Sequence, residues 1–289
     1  MAAYRFCRTD DIALLVDALN RCWSPHFPDD PPMTSAAFKR SIRDLQVWCS
    51  SCMVAFSGSD PIGVLIGAKR SSGTLVHKIA VHPDHQRQGH GRHLLASLGS
   101  KLAILGPPRI ITEVPAALTA ACELFSASGY VEEAMLTDYV LERESDVLLA
   151  LSERRDAAPV EGFVIPVTVD DLVANGLLEQ RDSHVCWERS VETLTARKDD
   201  IAGLAIASDE RIEAYLLYVK REGDAEIVSL RSFVEDGGSR LKQLIARLGG
   251  GAFRLAKVHP AEMSTEFLEM LGFRPAGRHL LYAGTARAD

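Results

Sequence analysis

The chain has no apolar run of the about 18 residues needed to cross a bilayer as a helix, so no membrane span is expected. It has no basic surplus either: 32 Lys and Arg stand against 39 Asp and Glu, a formal charge of −7. With no basic stripe carrying interleaved aromatics, a nucleic-acid surface is excluded. Cysteine is sparse and scattered, at Cys7, Cys22, Cys49, Cys52, Cys122 and Cys186. That density does not make a disulfide framework and suits a reducing compartment. Cys49-Ser50-Ser51-Cys52 is the one CxxC, and no second pair near it would complete a zinc site, so no metal is expected. A redox role would want a helix directly after the motif, whereas Met53-Val54-Ala55-Phe56 reads as strand; structural thiols are expected. The opening Met1-Ala2-Ala3-Tyr4-Arg5-Phe6 lacks the apolar stretch of a secretory signal, so the expected location is cytoplasmic. No Gly-Lys-Ser/Thr follows any glycine loop, and no three-glycine dinucleotide fingerprint occurs.

What is present is concentrated in His82-Pro83-Asp84-His85-Gln86-Arg87-Gln88-Gly89-His90-Gly91-Arg92-His93-Leu94-Leu95. The preceding Thr74–Val81 is short, apolar and β-branched, and reads as a strand. Leu94, Leu95 and Leu98 then fall at helical spacing. Strand, tight loop with two glycines, helix: such a loop aims several main-chain N–H groups at one point on the positive end of a helix. Glycine lets an anion approach the backbone without meeting a Cβ. Arg87, Arg92 and His93 surround the same point, so a phosphorylated small molecule is the expected ligand.

Gln86-x-x-Gly89-x-Gly91, after Ile79-Ala80-Val81-His82-Pro83, resembles the pyrophosphate loop of the GNAT superfamily of acyl-CoA N-acyltransferases. A leucine-rich helix, a strand at Arg109–Val114 and a later Phe125-x-x-x-Gly129-Tyr130 agree with that family's layout. Length suits two domains. The order of signals repeats after Ser152–Gly162, a polar stretch with Pro159 that reads as a linker. Gly238-Ser239-Arg240-Leu241-Lys242-Gln243-Leu244 mirrors Gly91 onward, and Phe267 to Phe273 mirrors Leu124 to Tyr130. The expected organisation is therefore an acetyl-CoA-binding domain over 1–150, a linker over 151–162 and a degenerate second copy over 163–289. The fold class is α/β (α+β): two tandem GNAT-like domains, each a mixed, mostly antiparallel twisted sheet flanked by helices, with a splayed V-shaped cofactor slot. The second copy departs at the chemistry, because Glu235 and Asp236 stand where a diphosphate would sit and would repel it.

The resemblance implies acetyl-CoA as acyl donor and a primary amine, of a small molecule or a protein, as acceptor. It implies that main chain at Ile79, Ala80 and Val81 pairs with the pantetheine arm. Gln86, Arg87, Gln88, Gly89, His90, Gly91 and Arg92 would hold the diphosphate. A main-chain N–H near Ile79–Val81 would face the thioester oxygen. The amine attacks directly, so the protein needs a base, and His77 and Glu113 are the candidates. The family's usual tyrosine acid falls at Phe125, which has no proton to give; Ser126 or water is left for that step. Trp23, His26, Phe27, Asp29 and Asp30 would shape the acceptor pocket. The phenylalanine at 125 and the degenerate second copy keep open another reading, an acyl-CoA-binding regulatory protein without catalysis.

Overall fold

The computed structural model describes residues 2–142, 162–178, 184–221, 223–249 and 251–287. Of the linker expected at 151–162, only Gly162 lies among them. The chain divides into two compact units, Met1–Ala134 with Leu280–Asp289, and Met135–His279. The last residues of the chain thus belong with the first unit, a departure from the expected division into an N-terminal and a C-terminal half.

The first unit runs β1 (Ala2–Phe6), α1 (Ile12–Cys22), α2 (Ser35–Leu45), β2 (Met53–Ser57), β3 (Asp60–Lys69), β4 (Thr74–Val81), α3 (His90–Leu105), β5 (Arg109–Pro115), α4 (Thr119–Ala127) and the start of β6 (Val131–Leu141). Strands β1 to β5 lie side by side in chain order. The first three pairings are antiparallel, and β4 with β5 is parallel. Strand β3 is buried from Pro61 to Ala68 without alternation, as a central strand covered on both faces must be. Leu15, Ala18, Leu19 and Cys22 make the buried stripe of α1, and Leu94, Leu95, Leu98 and Leu102 that of α3. Thr34 caps α2 by accepting from the Ala37 N–H.

Cys49–Ser51 form one short helical turn, closed by Ser51 N–H to Trp48 O and Cys52 N–H to Cys49 O, and β2 begins at Met53. This turn presses on Gly67, where an added Cβ would come within 2.5 Å of the Ser51 carbonyl oxygen. All six cysteines are free. Burial raises the Cys49 and Cys52 thiols above their ordinary range, and pushes Cys7 to about 12 and Cys22 to about 11. Groups held this firmly as thiols are poor nucleophiles and poor metal ligands.

The second unit repeats the plan: β7 (Phe163–Val167), α5 (Val169–Ala174), α6 (Val191–Ala196), β8 (Ala202–Ala207), β9 (Ile212–Lys220), β10 (Asp224–Ser232), α7 (Ser239–Arg247), β11 (Ala252–Val258), α8 (Thr265–Met270) and the start of β12 (Arg274–Thr285). Strands β7 to β11 are neighbours in chain order, again antiparallel except for β10 with β11. Beyond β11 lies β6, paired Phe253 to Leu141 and Leu255 to Tyr139. Strand β6 therefore begins in the first unit and ends in the second, and β12 does the reverse. Each unit is a mixed, mostly antiparallel open sheet flanked by helices. No helix among the described residues is long and apolar enough to cross a membrane.

Candidate functional site

Strands β4 and β5 separate soon after they meet. Their register covers Thr74 with Ile110 and Leu75 with Ile111. The buried Thr112 hydroxyl donates to the Val76 carbonyl at 3.0 Å, one residue further on. Past that bond the strands diverge, and His77 and Glu113 are the next residues along each arm, both half-buried. On its other side β4 carries a bulge. Lys78 pairs with Ile66 and Val76 with Gly67, so His77 is the extra residue. A bulge re-aims a side chain and interrupts a ladder, and such features concentrate at sites of function.

Main-chain direction beyond the bulge follows from the antiparallel alternation. His82 N–H donates to Ile62 O at 2.9 Å. With Val81 opposite Gly63 and Ala80 opposite Val64, the amide groups of Ala80 turn to β3, while those of Ile79 and Val81 turn to the open side. Of the three residues expected to offer main chain there, Ala80 faces the wrong way for it. The Val81 carbonyl already has donors, the Gln86 side-chain amide at 3.2 Å and the His26 ring at 3.0 Å. Gln86 thus ties the loop back to the strand, and its side chain is turned from the helix start.

The loop itself is shaped for close approach. After a short turn at Pro83–His85, Arg87 has φ 62° and Gly89 has φ 86°. Both lie in the left-handed region, which glycine enters freely and arginine at a cost. The first helical bond of α3 is His93 N–H to Gly89 O at 3.0 Å, so the N–H groups of His90, Gly91 and Arg92 precede the ladder. No atom lies within 4 Å of a Cβ built on Gly89, so the space in front of the loop is open. At Gly91 a Cβ would come within 3.0 Å of Leu124, so this glycine lets α4 pack against the helix start. The Arg87 side chain is extended and exposed, 3.8 Å from Glu123 on α4. Arg92, Gln88 and His93 are exposed.

His90 is buried, as is Gly91 beside it. The His90 Nδ1 lies 2.6 Å from the Tyr4 hydroxyl, and the Tyr4 ring also lies against His93, 3.8 Å between centroids and tilted by 38°. Burial lowers the His90 pKa below its usual 6.5, and His85 and His93 lower it further. A neutral His90 fits a position at the positive end of a helix.

Phe125, at the place where the resemblance wants a tyrosine, is 1% exposed. It sits edge-on to Tyr130, 5.3 Å between centroids, and parallel to Tyr282, 6.1 Å. The Tyr282 hydroxyl faces Ser126 and Cys122 on α4; burial raises its pKa and the Ser126 hydrogen bond opposes the rise. Tyr282 comes from β12, and nothing local in the sequence points to it. The acceptor loop expected from Trp23 to Met33 holds a short turn at Ser24–His26, with Trp23 stacked on Phe27 at 4.5 Å and the Lys78 ammonium 3.8 Å above the Trp23 ring. Trp23, His26 and Lys78 therefore converge on β4, next to the fork. Asp29 and Asp30 lie on the exposed part of the same loop.

The second unit keeps the fork, but its helix start is occupied. Strands β10 and β11 pair only from Asp224–Ala252 to Glu226–Arg254, and Val228 is the bulged residue where the first unit has His77. At the start of α7 the Asp236 carboxylate accepts from the Gly238 N–H at 2.9 Å, the Arg240 N–H at 3.0 Å and the Arg240 guanidinium at 3.0 Å. Burial acts to raise its pKa, but these donors outweigh it and the net shift is downward. An ionised side chain of the loop itself therefore occupies the helix start.

Residues 48–132 match the family model described as acetyltransferase (GNAT) domain. No curated protein matches the chain in sequence. Among solved structures, a tandem GNAT protein from the clavulanic acid biosynthesis pathway is similar at a TM-score of 0.65 and 16% identity, covering 100% of both chains. A GCN5-related N-acetyltransferase from Sphaerobacter thermophilus matches at 0.65 and 14%, over 99% of this chain and 96% of that one. Another from Kribbella flavida matches at 0.63 and 13%, over 98% and 70%.

Proposed function

We propose that this chain, which carries a GNAT acetyltransferase domain at residues 48–132 within a tandem GNAT fold, transfers an acetyl group from acetyl-CoA to a primary amine by direct attack. The observation that carries the proposal is the junction of two features in the first unit. The β4–β5 fork opens beside a left-handed glycine loop whose α3 N–H groups are uncommitted. The open loop suits a diphosphate, with Arg87 and Arg92 as side-chain donors. Ile79 offers both main-chain groups along the open arm of β4 and Val81 its N–H, and the pantetheine amides pair with them as an added strand would. One of these N–H groups stabilises the charge that develops on the thioester oxygen.

His77 is the proposed base. It stands at the mouth of the fork, at a bulge that takes it out of the regular pleat. Glu113 is the alternative across the fork. The attacking amine gives up one proton to this group, the C–S bond breaks, and the thiolate takes a proton from water or Ser126. The first unit carries this chemistry; the second is a degenerate copy whose helix start is filled by Asp236. A small molecule or a protein supplies the amine. Release of free thiol, measured against a panel of primary amines, tests the proposal: amine-dependent release supports it, and acetyl-CoA binding with no release from any amine contradicts it.

Phe125 favours a second reading, an acyl-CoA-binding regulator without turnover, because the ring is buried among aromatics and offers no acid. Turnover in a Phe125→Tyr variant with none in the parent would support that reading.

A further inference from the structure

One face of the β4–β5 fork is filled. Val76 and Ile79 of β4, Val114 of β5 and Phe125 of α4 pack with the leucines of α3 in one cluster. An amine that attacks at the fork therefore comes from the other face. Lys78 lies opposite Ile66, which is outside that cluster, and meets Trp23 at the end of α1. Its ammonium is 3.8 Å above the Trp23 ring, and that ring stacks on Phe27 at 4.5 Å. A π face attracts an ammonium without neutralising it, so the rings place a cation and leave its charge. Lys78 is half-buried and directly follows His77, the proposed base. The Trp23 indole N–H is buried and has no acceptor among the described residues, so the group is rich in donors. Across the fork β5 carries Glu113. Asp29 and Asp30 are on the exposed part of the loop, where water and salt screen them.

We infer that the acceptor is a primary amine that also carries a carboxylate, an amino acid with an apolar body, and that Lys78 selects it; this rests on the reading of the fork as an acyl-transfer site. The carboxylate pairs with the Lys78 ammonium, and the apolar body lies against Trp23 and Phe27. The amine is then left on the His77 side, and its ammonium form meets the opposite charge of Glu113 on the far arm. Two effects follow from a cation beside the amine. It favours the uncharged amine, which is the form that attacks. It also repels acceptors that carry a second positive charge, such as diamines and lysine-rich segments.

Thiol release by the full chain, with acetyl-CoA and three amines of one skeleton, tests it. L-leucine carries the carboxylate, L-leucinamide neutralises it and isoamylamine lacks it. The kcat/KM for leucine should exceed the other two by about tenfold or more, although leucinamide is the more readily deprotonated amine. Lys78→Gln should lower the ratio of leucine to isoamylamine by about tenfold, and Lys78→Arg, which keeps the charge, should hold most of it. Acetyl-CoA affinity shows that each variant stays folded. Equal use of the three amines by the parent overturns the inference and leaves acyl transfer standing. So does a ratio that Lys78→Gln does not move. Release from no amine at all contradicts acyl transfer instead, and equilibrium binding of the same three compounds beside coenzyme A then decides. Preference for leucine that Lys78→Gln removes supports the carboxylate site; binding without preference, or none, overturns it.

Discussion

The Tyr282 ring lies parallel to Phe125, 19° between planes and 6.1 Å between centroids, although it arrives from the last strand of the chain. The first unit therefore completes its core with a strand distant in sequence from its other elements. Tyr282 is 4% exposed and packs with Tyr130, Phe125 and Val114 in one cluster. Tyr282→Ala should destabilise the first unit by about 3–5 kcal/mol, the usual cost of emptying a buried aromatic site. Tyr282→Phe, which keeps the ring, should cost about 1 kcal/mol. Thermal unfolding of the two variants checks this; equal losses would mean that the hydroxyl, not the ring, carries the contact.

His77 should separate catalysis from binding. His77→Ala is expected to lower kcat by about 10²- to 10⁴-fold, the range of a general base, with little change in the KM for acetyl-CoA. The acid limb of the pH profile should flatten with it. Steady-state kinetics across pH decides; a raised KM at unchanged kcat would assign His77 to binding.

His90 gives the first unit a pH dependence of defined sign. Its folded pKa lies below 6.5, so at neutral pH the ring is neutral in both states. As pH falls below about 6.5 the unfolded chain takes up a proton first, and stability declines until the folded pKa is passed. Denaturant unfolding between pH 7.5 and 5 should show this decline, reduced in His90→Gln. A steeper decline in the variant would contradict the assignment.

In the second unit the Arg189 guanidinium clamps Glu262 with two hydrogen bonds, and Arg189 is only 4% exposed. Glu262→Gln should cost about 3–5 kcal/mol, because it strands a buried cation. Replacing both together, Arg189→Met with Glu262→Leu, should cost less than the single change. Chemical denaturation compares them; a harmless Glu262→Gln would show that water already reaches the pair.

The parts legible in the sequence were the local ones. Gln86 to Leu98 specifies its loop and helix by glycine placement and leucine spacing alone. What depends on register was not legible. The bulge at His77 is a mismatch between β3 and β4, and the turning of Ala80 toward β3 follows from the same register. The turn at Cys49–Ser51 answers a close approach to Gly67, which no single window contains. Gln86 fits the glycine-loop pattern, yet its amide serves Val81. The carboxylates at 235 and 236 were readable as repulsive; that Asp236 itself takes the helix-start amides needed coordinates. Tyr282 lay beyond reach because β12 crosses from one unit into the other.

Calorimetric titration of the full chain with acetyl-CoA tests the central claim most directly. One diphosphate-dependent site per chain is expected, and at a hundred times its dissociation constant it should stabilise the first unit by about 2.7 kcal/mol. Gly89→Asp should abolish the heat by placing a Cβ and a charge before the helix start. Gly89→Asn, which tolerates the left-handed backbone without the charge, should retain part of it. No heat from the folded parent, or full binding by Gly89→Asp, would contradict the account.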